Sequence, residues 1–341
     1  MTENRTGKKG WPWNEEVDPS VYGDLKWPKI SIVTPSYNQG QFIEETIRSV
    51  LSQNYPNLEY IIIDGGSNDQ SVDIIKSYSD RIQYWVSEKD AGQSDALIKG
   101  FNKASGDIFN WINSDDILHP KGLYYIAKAF MDNPELEFVH GRNGIMSVES
   151  EPVGFMPHPD DQLEARYLCE MPYGQQACFF RRQAYFESGG INRDIRFSMD
   201  FDLYVKMHAL GIRSRQIHEL IGSYREHQET KTSNLESVMR HENGNIFATL
   251  LFSVGDKRKA EFFTKMGFSP YSPYKVRPGI PKSLVRQATL MFLKKNIWYY
   301  YEKDLEVAHK MAWGIIKMDW KNIFNTHYLK IITDRHKHFK A

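Results

Sequence analysis

The sequence predicts an α/β protein: helices flanking a mostly parallel sheet, with a helical extension at the carboxyl end. Three observations lead there. Short apolar runs alternate with stretches whose apolar residues recur every three or four positions, the pattern of buried strands joined by amphipathic helices. The runs close on polar residues, and after three of the first four those residues are acids. The charge balance also breaks near residue 257. Lys257 to Ala341 holds 18 Lys and Arg against 6 Asp and Glu, a balance of +12, which leaves −12 on residues 1–256 of a chain whose formal net charge is zero.

Taken in order, residues 1–29 are rich in Gly, Pro, Trp and charge and read as a lead-in segment, with Trp11-Pro12-Trp13 placed to clamp onto the body. Lys29 to Asn38 is a first strand stopped by Pro35, and Phe42, Ile43, Thr46, Ile47, Val50 and Leu51 mark the helix after it. Glu59 to Asp64 is a second buried strand ending in an acid; Gly65 to Asp69 is turn and cap, and a helix runs to about Tyr78. Ile82 to Glu88 is a third strand, Lys89 to Asp95 a loop, and Asp95 to Ala104 a helix. The fourth strand, Asp107 to Asn113, runs into Ser114-Asp115-Asp116. Strand and helix alternating at this spacing require a parallel sheet with right-handed crossovers, so the polar ends Thr34/Tyr37, Asp64, Asp90 and Asp115/Asp116 share one rim.

Open α/β sheets bind ligands at that rim. Two adjacent acids are costly to hold together unless a cation shares their charge, and oxygen ligands suit Mg²⁺ or Mn²⁺ rather than zinc. The alternative for Asp115-Asp116 is a solvated turn, or the N-cap of a helix beginning near Pro120. For Asp64 it is an Asx turn before Gly65-Gly66, and for Asp95 the N-cap of its own helix.

The second half is less regular. Glu137 to His140 is strand-like, Pro172 to Arg182 is a polar loop entering a strand, and Phe197 to Met207 is a helix start carrying Asp200 and Asp202. Ile221 to Thr230 reads as a basic loop after a strand, and residues 234–254 as a helix. Pro270, Pro273, Pro278 and Pro281 mark a linker, and Lys282 to about Met318 follows as one or two amphipathic helices rich in Leu, Phe, Trp, Tyr and Lys.

Several classes are excluded or set back. Cys169 and Cys178 make neither a disulfide framework nor a zinc set, and fit a reducing cytosol. No apolar stretch follows the N-terminus as in a signal peptide, and no run of about 18 apolar residues would span a bilayer. A dehydrogenase would carry Gly-x-Gly-x-x-Gly after strand 1, and Gly7-Lys8-Lys9-Gly10 is too short for a P-loop. A nucleotidyltransferase would place basic residues where Pro35 to Gly40 has none. A nucleotide-sugar or glycan-binding module without turnover stays open as the alternative to an enzyme, with Asp200 arguing against it.

Ser31 to Asn38, Ile61 to Asp69, Ala91-Gly92-Gln93-Ser94-Asp95-Ala96 and Asn113-Ser114-Asp115-Asp116 fall in the order seen in family 2 glycosyltransferases, and about residues 30–228 resemble that family. The resemblance implies a GT-A fold, with a Rossmann-like sheet, and an inverting transfer of sugar from a nucleotide diphosphate sugar, with a UDP-sugar favoured. The acceptor would be a glycan or lipid-linked saccharide in cell-surface polysaccharide synthesis. Residues 30–245 would be the catalytic domain, with 30–116 its nucleotide-binding half and 117–245 its acceptor half, and 246–341 the extension.

Such chemistry needs a cation on the diphosphate, here Mn²⁺ or Mg²⁺. Asp115 is the first ligand, helped by Asp116 and by Asn113, which stands where many relatives have Asp. Thr34, Pro35 and Tyr37 would line the base, with Tyr37 stacking. Asp64 would accept from a uracil-type N–H or from ribose, and Asp90 and Asp95 would contact ribose or the donor sugar. Gln93 and Ser114, from the same motifs, complete the nucleotide-sugar set. Asp200, in Met199-Asp200-Phe201-Asp202, matches the family's base, with Met199 replacing the usual first acid. Asp202, two residues along a helix, cannot share its face and is structural. His227, in Tyr224-Arg225-Glu226-His227, would meet the diphosphate or the metal, a lone surface histidine being the alternative. Gln175 and Gln176 would meet the acceptor, or serve as turn polarity.

The basic tail has aromatics interleaved from Met291 to Tyr301. A helix of this kind can lie on anionic lipid, which would give a cytoplasmic protein a peripheral contact with the inner face of the membrane. A helical cap or partner-binding face is the competing reading. No nucleic-acid-binding motif is present.

Overall fold

The computed structural model describes residues 7–156, 164–227 and 235–333. The chain divides into two compact units, Met1–Asp161 with Pro172–Leu203 and Ile212–Asn234, and Gln162–Met171 with Tyr204–Gly211 and Leu235–Ala341.

The first unit is an α/β sheet. Its strands are β1 (Ile30–Ser36), β2 (Leu58–Asp64), β3 (Tyr84–Ser87), β4 (Ile108–Trp111), β5 (Ile117–Leu118), β6 (Phe138–Met146), β7 (Pro152–Phe155), β8 (Cys178–Arg181) and β9 (Ser214–Arg225). The order is β3-β2-β1-β4-β8-β6-β9-β5, with β7 beside β6. The first four strands are parallel. Beyond them the sheet is mixed: β8 is antiparallel to β4 and β6, whereas β9 is parallel to β6. Strands β2 and β3 lie on one side of β1 and β4 on the other. The carboxyl ends of β1 and β4 therefore flank the point where the strand order reverses, where such sheets hold ligands.

The helices follow from their apolar stripes. α1 (Ile43–Leu51) turns Ile43, Ile47, Val50 and Leu51 inward. α2 (Ser71–Ser77), α3 (Gln93–Lys103) and α4 (Gly122–Asp132) complete the crossovers. α3 packs so closely on β1 that a Cβ at Gly100 would stand 2.4 Å from Val33 Cγ1, which only glycine permits. At the opposite rim, the Glu59 carboxylate accepts from Lys29 Nζ (2.7 Å), Ser31 Oγ (2.5 Å), Ser105 N (2.7 Å) and Ser105 Oγ (2.7 Å). Burial alone would raise its pKa, but these donors hold it down to about 2.

The lead-in segment is part of the body. Val17, Tyr22 and Trp27 join the core with Tyr55 and Tyr60. Trp11 Nε1 donates to Leu118 O (2.8 Å), and Trp13 lies under the guanidinium of Arg48, 5.3 Å from its ring centre. The stretch from Ile221 to Arg225, expected as loop, is the end of β9, because β6 carries its pairing on to Met146 opposite Arg225. The rest of that expected loop, Gln228 to Thr230, lies outside the described residues.

The second unit is helical. α5 (Glu164–Tyr167) and the end of α7 (Met199–Leu210) join α8 (Glu236–Ser253), α9 (Lys257–Thr264), α10 (Lys282–Lys303), α11 (Leu305–Met318) and α12 (Thr326–Thr333). The remaining helix, α6 (Arg182–Ser188), belongs to the first unit. Phe247 stacks on Phe292 with ring centres 4.7 Å apart. The proline-rich linker is tied along α8 by one polar stripe: Asn245 Oδ1 accepts from Ser269 N, Thr249 Oγ1 from Tyr271 N and Ser253 Oγ from Tyr274 N, each at 2.8 Å. Trp298, Trp313 and Trp320 are exposed. Among the described residues no helix is long and apolar enough to cross a membrane, and Cys169 and Cys178 are buried thiols outside any disulfide.

His119 supplies a pH test of this packing. Its Nε2 meets Ser223 Oγ at 2.7 Å, and burial lowers its pKa to about 4. The unfolded chain titrates this histidine near 6.5, so it takes up a proton that the folded state refuses. Stability should be full above about pH 6.5 and fall as the pH drops toward about 4. Urea unfolding across that range should show the loss, and His119→Gln should reduce it, with the remainder left to His208, whose pKa burial lowers to about 3.

Candidate active site

The site is built where β4 ends. After Trp111 the chain runs through Asn113, Ser114, Asp115 and Asp116 into the short β5, so the two acids must be accommodated within one turn. They part at once. Asp116 is buried and accepts three hydrogen bonds: from Arg225 N to Oδ1 (3.0 Å), and from Asn113 Nδ2 (2.9 Å) and Gln176 Nε2 (2.5 Å) to Oδ2. Asp115 stays partly open, and its Oδ2 is 3.1 Å from His227 Nε2. Burial, and then the charge of Asp115, push Asp116 up to about 8, against the three donors. The three donors stabilise the charged form against that push.

Asn113 links two loops. Its Nδ2 serves Asp116, and its Oδ1 accepts from Gln93 Nε2 at 2.8 Å. Gln93 is the first residue of α3. The next residue, Ser94, donates from Oγ to Ile195 O (2.6 Å), and Asp95 pairs with Arg193 (3.1 Å) while accepting from Ala91 N (3.3 Å). Asp95 is thus in the first turn of α3 and not its N-cap, which is Gly92. The 193–195 segment leads into α7, whose first turn carries Asp200, partly buried, with Oδ1 accepting from Phe201 N at 2.7 Å. The amino end of α3 is therefore flanked by the Asp115 turn and by the segment leading to Asp200. Asp202 is fully buried.

Other expected residues take quieter places. Thr34 is fully buried with its hydroxyl 3.0 Å from Tyr60 Oη, so its side chain lies in the core; Pro35 is buried and Tyr37 is exposed. Asp64 is buried and organises its turn, Oδ2 accepting from Gly66 N, Ser67 N and Ser87 Oγ, and Oδ1 from Ser67 Oγ. That is the Asx-turn arrangement weighed from the sequence. Asp90 accepts from Gly92 N (2.8 Å), and its carboxylate would lie 3.0 Å from a Cβ at Gly65. Gln175 and Gln176 are buried. Gln175 Nε2 donates to Asn110 Oδ1 (3.0 Å) and Trp111 O (2.6 Å), so both glutamines stitch the end of β4. Ser114 is buried.

Arg225, passed over as part of a basic loop, is the residue that the sequence reading missed. Its side chain is almost fully buried and lies 4.8 Å over the ring of Phe42, which also packs against His227 at 5.0 Å. Tyr224-Arg225-Glu226-His227 held the signal, since the arginine at the last position of β9 stands two residues before the site histidine.

Among the described residues, no group of three or more His, Cys, Asp or Glu converges on a point that could hold a metal ion. A carboxylate oxygen and an imidazole nitrogen 3.1 Å apart nonetheless fit a cation that takes its remaining ligands from phosphate and water. Asp116, with all its partners on chain donors, braces this pair from behind.

A carboxylate and an imidazole at one strand end beside the switch point of an α/β sheet, with an acid-bearing helix near them, lie where open sheets of this class place their ligands. Residues 31–190 match the family described as glycosyl transferase family 2. The chain is 26% identical over 298 residues to an uncharacterized glycosyltransferase of Rickettsia felis, covering 84% of this chain and 45% of that protein. To one from Haemophilus influenzae it is 31% identical over 132 residues, 38% of this chain and 52% of that one. The chain thus spans about half the length of these relatives. Among solved structures, TarS 1-349 of S. aureus in complex with UDP is similar at a TM-score of 0.61 with 14% identity, covering 89% of this chain and 87% of that one. The mannosyltransferase PcManGT from Pyrobaculum calidifontis in complex with GDP-Man and Mn²⁺ is similar at 0.51 with 17% identity, covering 95% and 89%. At these identities the likeness is one of fold, the GT-A arrangement with a helical carboxyl-terminal region.

Asn113→Asp tests the bracing. It would replace one of the two donors to Asp116 Oδ2 with a third carboxylate and cost about 1.5–3 kcal/mol, the scale of a lost hydrogen bond to a charged group. The melting temperature should fall without divalent cation, and Mn²⁺ should restore part of the loss.

Proposed function

We propose that the chain transfers a sugar from a nucleotide diphosphate sugar to a glycan or lipid-linked saccharide in cell-surface polysaccharide synthesis, inverting the anomeric carbon in one displacement. The observation that carries this is the partly open Asp115 paired with His227 at the switch point, behind which Asp116 is fully engaged. A cation held by Asp115 and His227 would neutralise charge gathering on the departing diphosphate. Mn²⁺ or Mg²⁺ suits those donors, and the similar mannosyltransferase is described with Mn²⁺.

The chain's own groups divide the remaining work. Pro35 and Tyr37 at the end of β1, with Asp90 after β3, would receive the nucleotide. Asp64 holds its turn beneath them. A UDP-sugar is favoured, in line with the UDP held by the TarS structure. Asp200 would accept the proton of the acceptor hydroxyl as that oxygen attacks the anomeric carbon and the diphosphate leaves with its bonding pair. The α3 contacts through Ser94 and Asp95 would keep the segment before Asp200 in place. Gln175 and Gln176 would shape the acceptor side from within. The +12 balance from Lys257 onward, with exposed Trp298, Trp313 and Trp320, supports a peripheral contact with anionic membrane on the cytoplasmic side.

Incubation with a panel of nucleotide sugars and Mn²⁺ should release nucleotide diphosphate from one of them. Asp115→Ala should abolish metal-dependent release. Asp200→Asn should keep donor binding and lose about 100-fold or more in turnover, the scale of a general base. Full transfer by Asp200→Asn would remove it as the base. Flotation with vesicles rich in phosphatidylglycerol but not with phosphatidylcholine alone is the expected membrane result, and equal behaviour with both would discard that part.

A further inference from the structure

We infer that Arg225 is a positioning residue that fixes the cation seat of Asp115 and His227 by tying it to α1 and to the turn between β6 and β7. The inference rests on the reading of Asp115 as a metal arm. Every nitrogen of Arg225 is committed to the chain. Its main-chain N donates to Asp116 Oδ1 (3.0 Å) and its Nε to Asp115 O (2.9 Å), so one residue holds both acids, one by its carboxylate and one by its backbone. Nη1 donates to Ser147 O (3.1 Å), Val148 O (2.9 Å) and Ser150 Oγ (2.9 Å), and Nη2 to Glu45 Oε2 (3.1 Å). Glu45 also accepts from Ser150 Oγ at 2.8 Å, which closes a ring of helix, turn and strand around the guanidinium.

Two features assign the role. The Arg225 side chain is 1% exposed, and the side chain of Glu45 is 4% exposed, so the guanidinium does not reach a phosphate in the crevice. A lysine in its place keeps the charge but cannot reproduce the fork, whose planar donors reach Asp115, the turn and Glu45 at once. The arrangement corresponds to the hydrogen-bonded support that orients a metal ligand, whose loss weakens metal binding by about 10- to 100-fold. His227 is two residues further along the chain and packs on the same Phe42 ring, so a shift of Arg225 would move both arms of the seat.

Free Mn²⁺ would be titrated against the full chain by electron paramagnetic resonance without donor, for wild type, Arg225→Lys and Asp115→Ala, with circular dichroism melts as the check of folding. Arg225→Lys should raise the Mn²⁺ dissociation constant about tenfold or more, and the Mn²⁺ half-saturation of donor hydrolysis equally, while turnover at saturating Mn²⁺ changes less than about threefold. A merely structural role would reduce the folded fraction and leave the constant of the remainder unmoved. If Arg225→Lys binds Mn²⁺ within about twofold of wild type while Asp115→Ala loses binding, the inference is overturned and the metal reading stands. If Asp115→Ala binds like wild type, the metal reading fails and the inference goes with it. Should Arg225→Lys not fold, Glu45→Gln and Ser150→Ala loosen the same ring with the arginine in place. Weaker Mn²⁺ binding in both supports the inference, and unchanged binding in both overturns it.

Discussion

Two carboxylates on neighbouring residues at the end of a buried strand repel each other, and much of the site's architecture answers that repulsion. One is turned inward and given three donors from three separate segments; the other is turned outward toward an imidazole. The burial of Asp116 is tolerable only because Asn113, Gln176 and the main chain of Arg225 arrive together. That requirement sets the register of β9 beside β5, the course of the chain ahead of β8 and the place of α3 through Gln93. Arg225, itself a buried charge, is tolerated in turn because Glu45 answers it from α1.

The sheet's first half was legible in the sequence because its signals are local. Apolar runs closed by polar residues gave the four parallel strands within a few residues, and the acids at their ends fell on one rim as the crossover rule requires. The second half was less legible because its strands pair with partners far along the chain. Nothing near Ile221 announces that β6 will carry it as strand to Arg225, and a run of polar residues there looks like loop.

Side-chain roles divide in the same way. Asp115 and Asp116 could be picked out as a pair from their place after the strand, but not which would be buried, since that depends on Gln176 and Arg225, 60 and 109 residues away. Thr34 was assigned to the crevice from its place near a strand end; the alternation of β1 turns its hydroxyl to Tyr60 instead. Asp64 could be read as a turn acid or as a ligand for the base, and Ser67 and Ser87 occupy its oxygens. The lead-in was legible as aromatic but not as core, because Tyr22 and Trp27 find their partners only once α1 and β2 are in place.

The polar stripe on α8 changes where this protein could be cut. Four prolines in a dozen residues invite truncation, and shortening the chain near residue 270 looks harmless by composition. Asn245, Thr249 and Ser253 each hold a backbone amide of that stretch. A shortened chain would hand those three acceptors to water and leave Phe247 without the ring of Phe292. The prolines behave as a seam stitched to its own helix, so trimmed versions meant to isolate the sheet should end before α8 begins.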